Sequence, residues 1–164
     1  MRNPFLQRFS DLPETLPIFP LPGAIVMPGS ELPLNIFEPR YLNMVSDALS
    51  THRMIGMIQP DPNARDTNVL CHTGCAGRIT QYRETNDGRI EMVLSGVCRY
   101  DVGEELPTTR GYRLIVPDWS RFSDDYTDHE DLLRGEHDHL IRMLKRYFDA
   151  KGLQADWSML ERLS

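Results

Sequence analysis

Six prolines fall within the twenty-six residues from Leu16 to Tyr41, LPIFPLPGAIVMPGSELPLNIFEPRY, at Pro17, Pro20, Pro22, Pro28, Pro33 and Pro39. Proline fixes φ and removes a backbone donor, and the intervals before Pro39 are too short for a helix. Leu16, Ile18, Phe19, Leu21, Ile25 and Val26 must therefore be buried as extended segments. The stretch predicts strands at Leu16–Pro20 and Glu31–Phe37, joined by a turn-rich crossover containing the apolar run Ala24–Met27. In the second strand Leu32, Leu34 and Ile36 fall on one face, and Pro33, Asn35 and Phe37 on the other. Pro33 lacks a ladder donor, which places this strand at a sheet edge or at a bulge.

From Pro39 the period changes. Tyr41, Leu42, Val45, Ala48 and Leu49 recur at helical spacing and Pro39 suits the first turn, so a helix is expected over 39–50. Met54–Gln59 is a short apolar run consistent with a buried third strand. Pro60–Asn68 has the composition of an exposed loop. Two alternating runs, Gly74–Glu84 and Arg89–Gly96, flank Asn86-Asp87-Gly88, and Asp-Gly between such runs signals a hairpin. Gly96 is expected to bend the chain into a further strand, Val97–Val102, and Tyr112–Val116 supplies another. Met1–Pro13 reads as an arm with no core element of its own.

After Trp119 the composition turns to Ser, Asp, Tyr and His. Leu132, Leu133, Leu140, Ile141, Met143, Leu144, Tyr147 and Phe148 then form one helical stripe, ended by Gly152 at a C-cap. Asp156 offers an N-cap for a second helix from Trp157 that the chain cuts short, so more sequence is expected beyond it in the natural protein. The expected organisation is α+β: a β-rich lobe over 1–119, with about six strands and one inserted helix, then an α-helical lobe over 120–164 with its long helix near 128–151.

At 164 residues the chain has the size of one domain, and a domain of this length buries roughly 70% of its extended surface. The net charge of −6 and pI near 5.3 leave no basic footprint for tracking phosphates, which disfavours nucleic acid as a partner. Three cysteines, an odd number, and an N-terminus without a secretory apolar region argue against a disulfide framework and for a reducing, cytoplasmic setting. No run reaches the roughly 18 consecutive apolar residues of a membrane span.

The chemistry-bearing residues are sparse. Cys71, His72, Cys75 and Cys98 are soft ligands, but the pairs lack zinc spacing, and packing is the reading adopted. His129, Glu136, His137, Asp138 and His139 do not reproduce His-Glu-x-x-His, and His137 and His139 point to different sides of a helix. Ser95-Gly96 is not a nucleophile elbow, and no phosphate loop occurs. Asp124-Asp125 and Glu104-Glu105 read as solvated carboxylates in turns. No catalytic residue, metal or cofactor is assigned. Phe37, Glu38, Arg40 and Tyr41 combine an aromatic anchor, a carboxylate, a guanidinium and a phenol at a strand-to-helix corner, where side chains can be presented rigidly. The bland alternative has Glu38 capping the helix and Arg40 pairing locally.

The Leu16–Tyr41 stretch, followed by YLNMVSDAL, MIGMIQ and GCAGRITQY…DGRIEMVLSGVCRY, resembles the substrate-binding N-terminal domain of the ATP-dependent Lon proteases, and more closely the stand-alone bacterial Lon-N-domain proteins. The resemblance runs collinearly over about Leu16–Trp119, and the long helix with DWSML is similar to the helical lobe that follows in them. It implies a PUA-like pseudo-barrel and a function of binding unfolded or tagged polypeptides, with an ATP-dependent protease as a further partner. In full Lon enzymes separate ATPase and Ser-Lys protease modules carry the chemistry, and neither pattern is present here. The expectation is a non-enzymatic, cytoplasmic peptide-binding module, an adaptor in protein quality control, with Phe37, Glu38, Arg40 and Tyr41 as the peptide-binding set. The alternatives are an RNA-binding PUA-like module and a small hydrolase.

Overall fold

Leu16–Pro20 forms β1 in the computed structural model, which describes residues 8–66, 68–126, 130–152 and 157, with the side chains of the last helix described from 141 onward. It is followed by β2 (Glu31–Ile36), α1 (Pro39–Leu49), β3 (Met54–Ile58), β4 (Thr73–Glu84), β5 (Ile90–Leu106), β6 (Arg113–Asp118), a 3-10 segment (Ser120–Tyr126) and α2 (Glu130–Lys151). The strands form one mixed sheet in the order β2-β5-β4-β3-β1-β6. The long β5 pairs with β2 through Ile90–Ser95 and with β6 through Asp101–Leu106, so the sheet curls back on itself as an irregular pseudo-barrel. β1 and β3 are parallel, which requires a crossover, and β2 with α1 supplies it.

Curling explains the two apolar runs. β1 and β3 are interior strands buried on both faces, and their side chains divide between two cores. Phe19, Ile55 and Met57 join the cluster under α1, with Tyr41, Met44, Val45 and Ala48 of the helix. Leu16, Ile18, Met54 and Ile58 turn to a second cluster around Tyr100 and Ile115. Met44, which lies outside the expected stripe, is fully buried. β2 has only β5 as a neighbour, and Pro33 sits on this edge strand as its missing donor requires. Gly88, at φ 80°, turns the β4–β5 hairpin.

Gly96 does not bend the chain. β5 runs unbroken through it, and the expected separate strands Arg89–Gly96 and Val97–Val102 are one element. The register shift falls between Ala76–Cys98 and Gly77–Gly96 pairs, leaving Val97 as the extra residue of a bulge. Gly96 is needed for another reason. A Cβ there would stand 1.9 Å from the Met27 carbonyl oxygen, because the β1–β2 crossover lies directly on β5. The Gly29 amide donates to the Gly96 carbonyl (3.0 Å) and the Gly96 amide to that of Ser30 (2.8 Å). At the other end of the crossover the Gln59 amide group donates to the Leu21 and Ala24 carbonyls and accepts from the Gly23 amide.

The 3-10 segment belongs with the β-rich unit. Contacts divide the chain into Met1–Tyr126 and Thr127–Ser164, so the change after Trp119 marks a change of composition and the boundary between compact units falls after Tyr126. Two buried carboxylates hold the segment. Asp125, expected in a solvated turn, has a side chain only 6% exposed and accepts from the Arg99 guanidinium (2.6 Å) and the Arg99 amide (2.8 Å). Asp101 accepts from Arg121 (2.7 Å) and Thr73 (2.6 Å). Phe122 lies beneath both guanidinium groups, at 5.0 and 5.1 Å. The N-terminal arm docks beside this clasp: Trp119 donates to the Pro13 carbonyl, and Phe9 meets Tyr126 edge to face.

This clasp makes stability sensitive to acid. The Arg121 hydrogen bond holds Asp101 below the ordinary carboxylate range, and for Asp125 burial pushes upward but the Arg99 hydrogen bonds outweigh it and the net shift is down. A depressed carboxyl contributes stability above the unfolded value, and the contribution is lost as pH falls through the folded value. The urea midpoint is therefore expected to be level near neutrality and to fall below about pH 4. An Asp125→Asn variant should start lower at pH 7 and show a shallower acid slope. An unchanged slope would remove Asp125 from the account.

In the second unit, α2 ends at Gly152 with φ 64°, as the C-cap reading expects. Phe148 meets the Trp157 ring at 5.2 Å, and the Lys145 ammonium stands over the same ring at 5.7 Å. Met143 and Tyr147, expected on the buried stripe, are half exposed. The helix expected from Trp157 lies outside the described residues, as do His129 and the side chains of Glu136, His137, Asp138 and His139. No helix among the described residues is long and apolar enough to cross a membrane.

Candidate binding site

The Phe37–Tyr41 corner arises because β2 must stop where Pro39 starts α1. Glu38 is the N-cap residue in extended conformation (φ −72°, ψ 133°), and Pro39 occupies the first turn with its fixed φ. Ile36 points inward, 2% exposed, so Phe37 on the opposite face of the strand points outward and is 61% exposed. The Arg89 guanidinium, from the β4–β5 hairpin, stands 5.7 Å from its ring.

The Glu38 side chain makes no cap hydrogen bond and instead accepts from Arg40 Nε (3.0 Å) and Nη2 (2.9 Å). The Arg40 guanidinium also lies 4.5 Å above the Tyr41 ring. Tyr41 faces inward at 6% exposure, its ring 4.2 Å from that of Phe19, and burial pushes its hydroxyl pKa up. The four residues thus meet at one corner in two layers. Phe37 and the Glu38–Arg40 pair form its surface, and Tyr41 is the floor on which Arg40 rests. Both charged groups are about half exposed, where an ion pair contributes little to stability, so the pair's consequence is positional. Behind them Arg110 clasps Asp47 through two 3.0 Å bonds, and the Tyr112 hydroxyl donates to the same carboxylate, fixing loop 107–112 against α1.

Cys71, Cys75 and Cys98 are free thiols. Burial pushes the Cys75 and Cys98 thiols up to about 12, so both stay protonated near neutrality and neither is a ready nucleophile or ligand. Among the described residues no group of three or more His, Cys, Asp or Glu could hold a metal ion. Arg99 and Gln59 are structurally decisive residues that the sequence did not single out, and Asp125 and Gly96 are ones to which it assigned another role. Their partners lie 26 to 69 residues away in the chain, and no local pattern announces them.

Fold and corner define a mixed α+β pseudo-barrel module that presents an aromatic–arginine surface. A profile of the ATP-dependent protease La (LON) substrate-binding domain matches residues 15–160, and the chain belongs to that family. It is 28% identical over 110 residues to Lon protease 2 of Myxococcus xanthus and 32% identical over 113 residues to the Lon protease of Dictyoglomus thermophilum. These matches take in 63% and 68% of this chain but only 13% and 14% of those proteins. Among solved structures it is similar to a Lon N-terminal domain protein from Xanthomonas campestris, with TM-score 0.53 and 28% identity over 64% of this chain and 59% of that one. The N-terminal domain of a Mycobacterium avium complex Lon protease shares the fold, with TM-score 0.58 and 14% identity over 90% of this chain and 75% of that one.

Proposed function

We propose that this chain is a non-catalytic, cytoplasmic peptide-binding module that receives unfolded or tagged polypeptides as an adaptor in protein quality control, with an ATP-dependent protease as a downstream partner. The reading rests on family membership in a substrate-binding domain and on one geometric observation: Phe37, 61% exposed, is held on a proline-fixed corner with the Arg89 guanidinium 5.7 Å from its ring, next to the half-exposed Glu38–Arg40 pair. An exposed aromatic flanked by arginines is the composition of an interface hot spot, and rigid presentation lowers the ordering cost of binding. In this reading Phe37 is the apolar anchor, Arg40 and Glu38 meet the polar backbone and charged flanks of the peptide, and Tyr41 supports Arg40 from below.

The test is capture of a chemically unfolded reporter protein, read by fluorescence anisotropy. Phe37→Ala and Arg40→Ala are each expected to weaken capture about tenfold, the effect of losing roughly 1.4 kcal/mol. The thermal melt should stay close to that of the parent chain, because both side chains lie at the surface. Undiminished capture by both variants would dismiss the corner as the site.

A further inference from the structure

β4 outruns the strand beside it. β3 flanks it only where Met54 to Met57 oppose Arg78 to Cys75, and the last bond on that side runs from the Ile79 amide to the Arg53 carbonyl (2.8 Å). The chain coming from α1 enters this lane at Arg53, with φ 59°, so the lane beside Thr80–Glu84 is empty among the described residues. All the residues from Thr80 to Glu84 are exposed. The hairpin sets the direction of their backbone groups. The Thr85 amide donates to the Arg89 carbonyl (2.9 Å) and the Thr85 carbonyl accepts from Gly88 (3.0 Å), so Thr85 turns both groups towards β5. Alternation along an antiparallel ladder gives the same direction to Arg83, opposite Glu91, and to Gln81, opposite Val93. Tyr82 and Glu84 therefore turn both of their backbone groups to the empty lane, along one edge, and these have no partner among the described residues. The sheet's other open edge is β2, where Pro33 opposes Val93, so the proline faces outward and removes a donor there. The β4 edge has no such block. Tyr82 stands on the α1 side of the sheet, opposite the 3% exposed Met92, and is itself 51% exposed. Glu84 follows on the same face without an ion pair among the described residues, whereas Arg83 on the other face is held by Glu91.

We propose that the Thr80–Glu84 edge takes an extended polypeptide segment as an added antiparallel strand, with an apolar residue opposite Tyr82 and a basic residue opposite Glu84. This rests on the peptide-binding reading and names the conformation and side-chain pattern of what is bound. An extended backbone offers a donor and an acceptor at every second residue, which is the spacing of Tyr82 and Glu84, and in strand addition such main-chain bonds give affinity while alternate side chains give selectivity. The half-exposed Tyr82 ring selects an apolar neighbour, and the unpaired Glu84 carboxylate on a chain of net charge −6 selects a cation. A second copy fits less well. Laid antiparallel with Tyr82 opposite Glu84, it sets Arg83 against Arg83, leaves Glu84 without a cation and adds another net charge of −6.

The test is an NMR titration of the nitrogen-15-labelled full chain with an end-capped peptide, Thr-Lys-Thr-Val-Thr, whose lysine falls opposite Glu84 and whose valine falls opposite Tyr82. The Tyr82 and Glu84 amides are expected to shift and their hydrogen exchange to slow, while the Gln81 and Arg83 amides, already bonded to β5, change little. Methylating the peptide's lysine and valine nitrogens should weaken binding at least about tenfold. Methylating the threonine nitrogen between them, which turns away from the edge, should leave it intact. Tyr82→Pro removes a donor the fold does not use, and should abolish the shifts with little change in the melt. Glu84→Lys should weaken binding several-fold, and exchanging the peptide's lysine for glutamate should restore it. Full binding by the peptide methylated at lysine and valine, or shifts that leave Tyr82 and Glu84 untouched, overturns the proposal. If Phe37→Ala weakens capture of the unfolded reporter while Tyr82→Pro does not and the peptide fails to bind, the corner reading survives and this inference fails. If neither peptide nor reporter binds, both fail. A dimer that Tyr82→Pro dissociates, with no peptide binding, makes a second copy the occupant and also overturns it.

Discussion

Replacing Tyr100 by alanine is expected to cost about 3–5 kcal/mol, enough to lower the urea midpoint sharply at unchanged slope. Tyr100 is wholly buried in the second core, with Trp119 meeting it edge to face at 5.8 Å. Two glycines make room for it: a Cβ on Gly56 would come within 2.6 Å of its hydroxyl oxygen, and one on Gly74 within 2.6 Å of the same atom. The surrounding strands are built to that ring and cannot collapse into the space it leaves. Its hydroxyl donates to the Met57 carbonyl at 3.3 Å, so Tyr100→Phe should cost only about 1 kcal/mol and separates packing from hydrogen bonding. An alanine variant within about 1 kcal/mol of the parent would show that Tyr100 is not the centre of this core.

Gly96→Ala is expected to destabilise by about 3 kcal/mol, lowering the melting temperature by some 6–12 °C. The added methyl carbon would lie 1.9 Å from the Met27 carbonyl oxygen and 2.7 Å from its carbon. Both are backbone atoms, so no side-chain rotation relieves the clash and the crossover must lift from β5. The Gly29 amide bond to Gly96 would break, and its hydrogen exchange should accelerate with the loss of stability. A variant that melts within about 2 °C of the parent, with the Gly29 amide still protected, would rule out so close a crossing.

Much of the scaffold was legible before any coordinates. The proline spacing placed β1, β2 and the start of α1, because proline restricts the backbone locally whatever surrounds it. Asp87-Gly88 placed the hairpin, because positive φ is a local demand. The short apolar run of β3 indicated a buried strand. What covers each face was not readable, since it depends on β5 reaching both β2 and β6.

The errors share one cause. Gly96 read as a bend because glycine often marks one, whereas its role is to admit a backbone from 69 residues earlier in sequence. Asp125 read as solvated because its neighbours are polar, whereas Arg99 holds its carboxylate out of solvent. At the corner, Phe37 and Tyr41 look alike in the sequence, and only the packing of Phe19 makes Tyr41 the floor and leaves Phe37 at the surface.

By itself the sequence determined most element types, the restriction of β2 to an edge or a bulge, the proline-fixed corner and the family likeness. Each rests on backbone restriction, side-chain period or motif order, which act within a few residues. The tertiary structure alone decided which side chains of the corner are presented, that the 3-10 segment is clasped to β5, and that the β1–β2 crossover lies directly on Gly96. Those outcomes depend on contacts between distant segments, where burial and exclusion rather than local preference set the result.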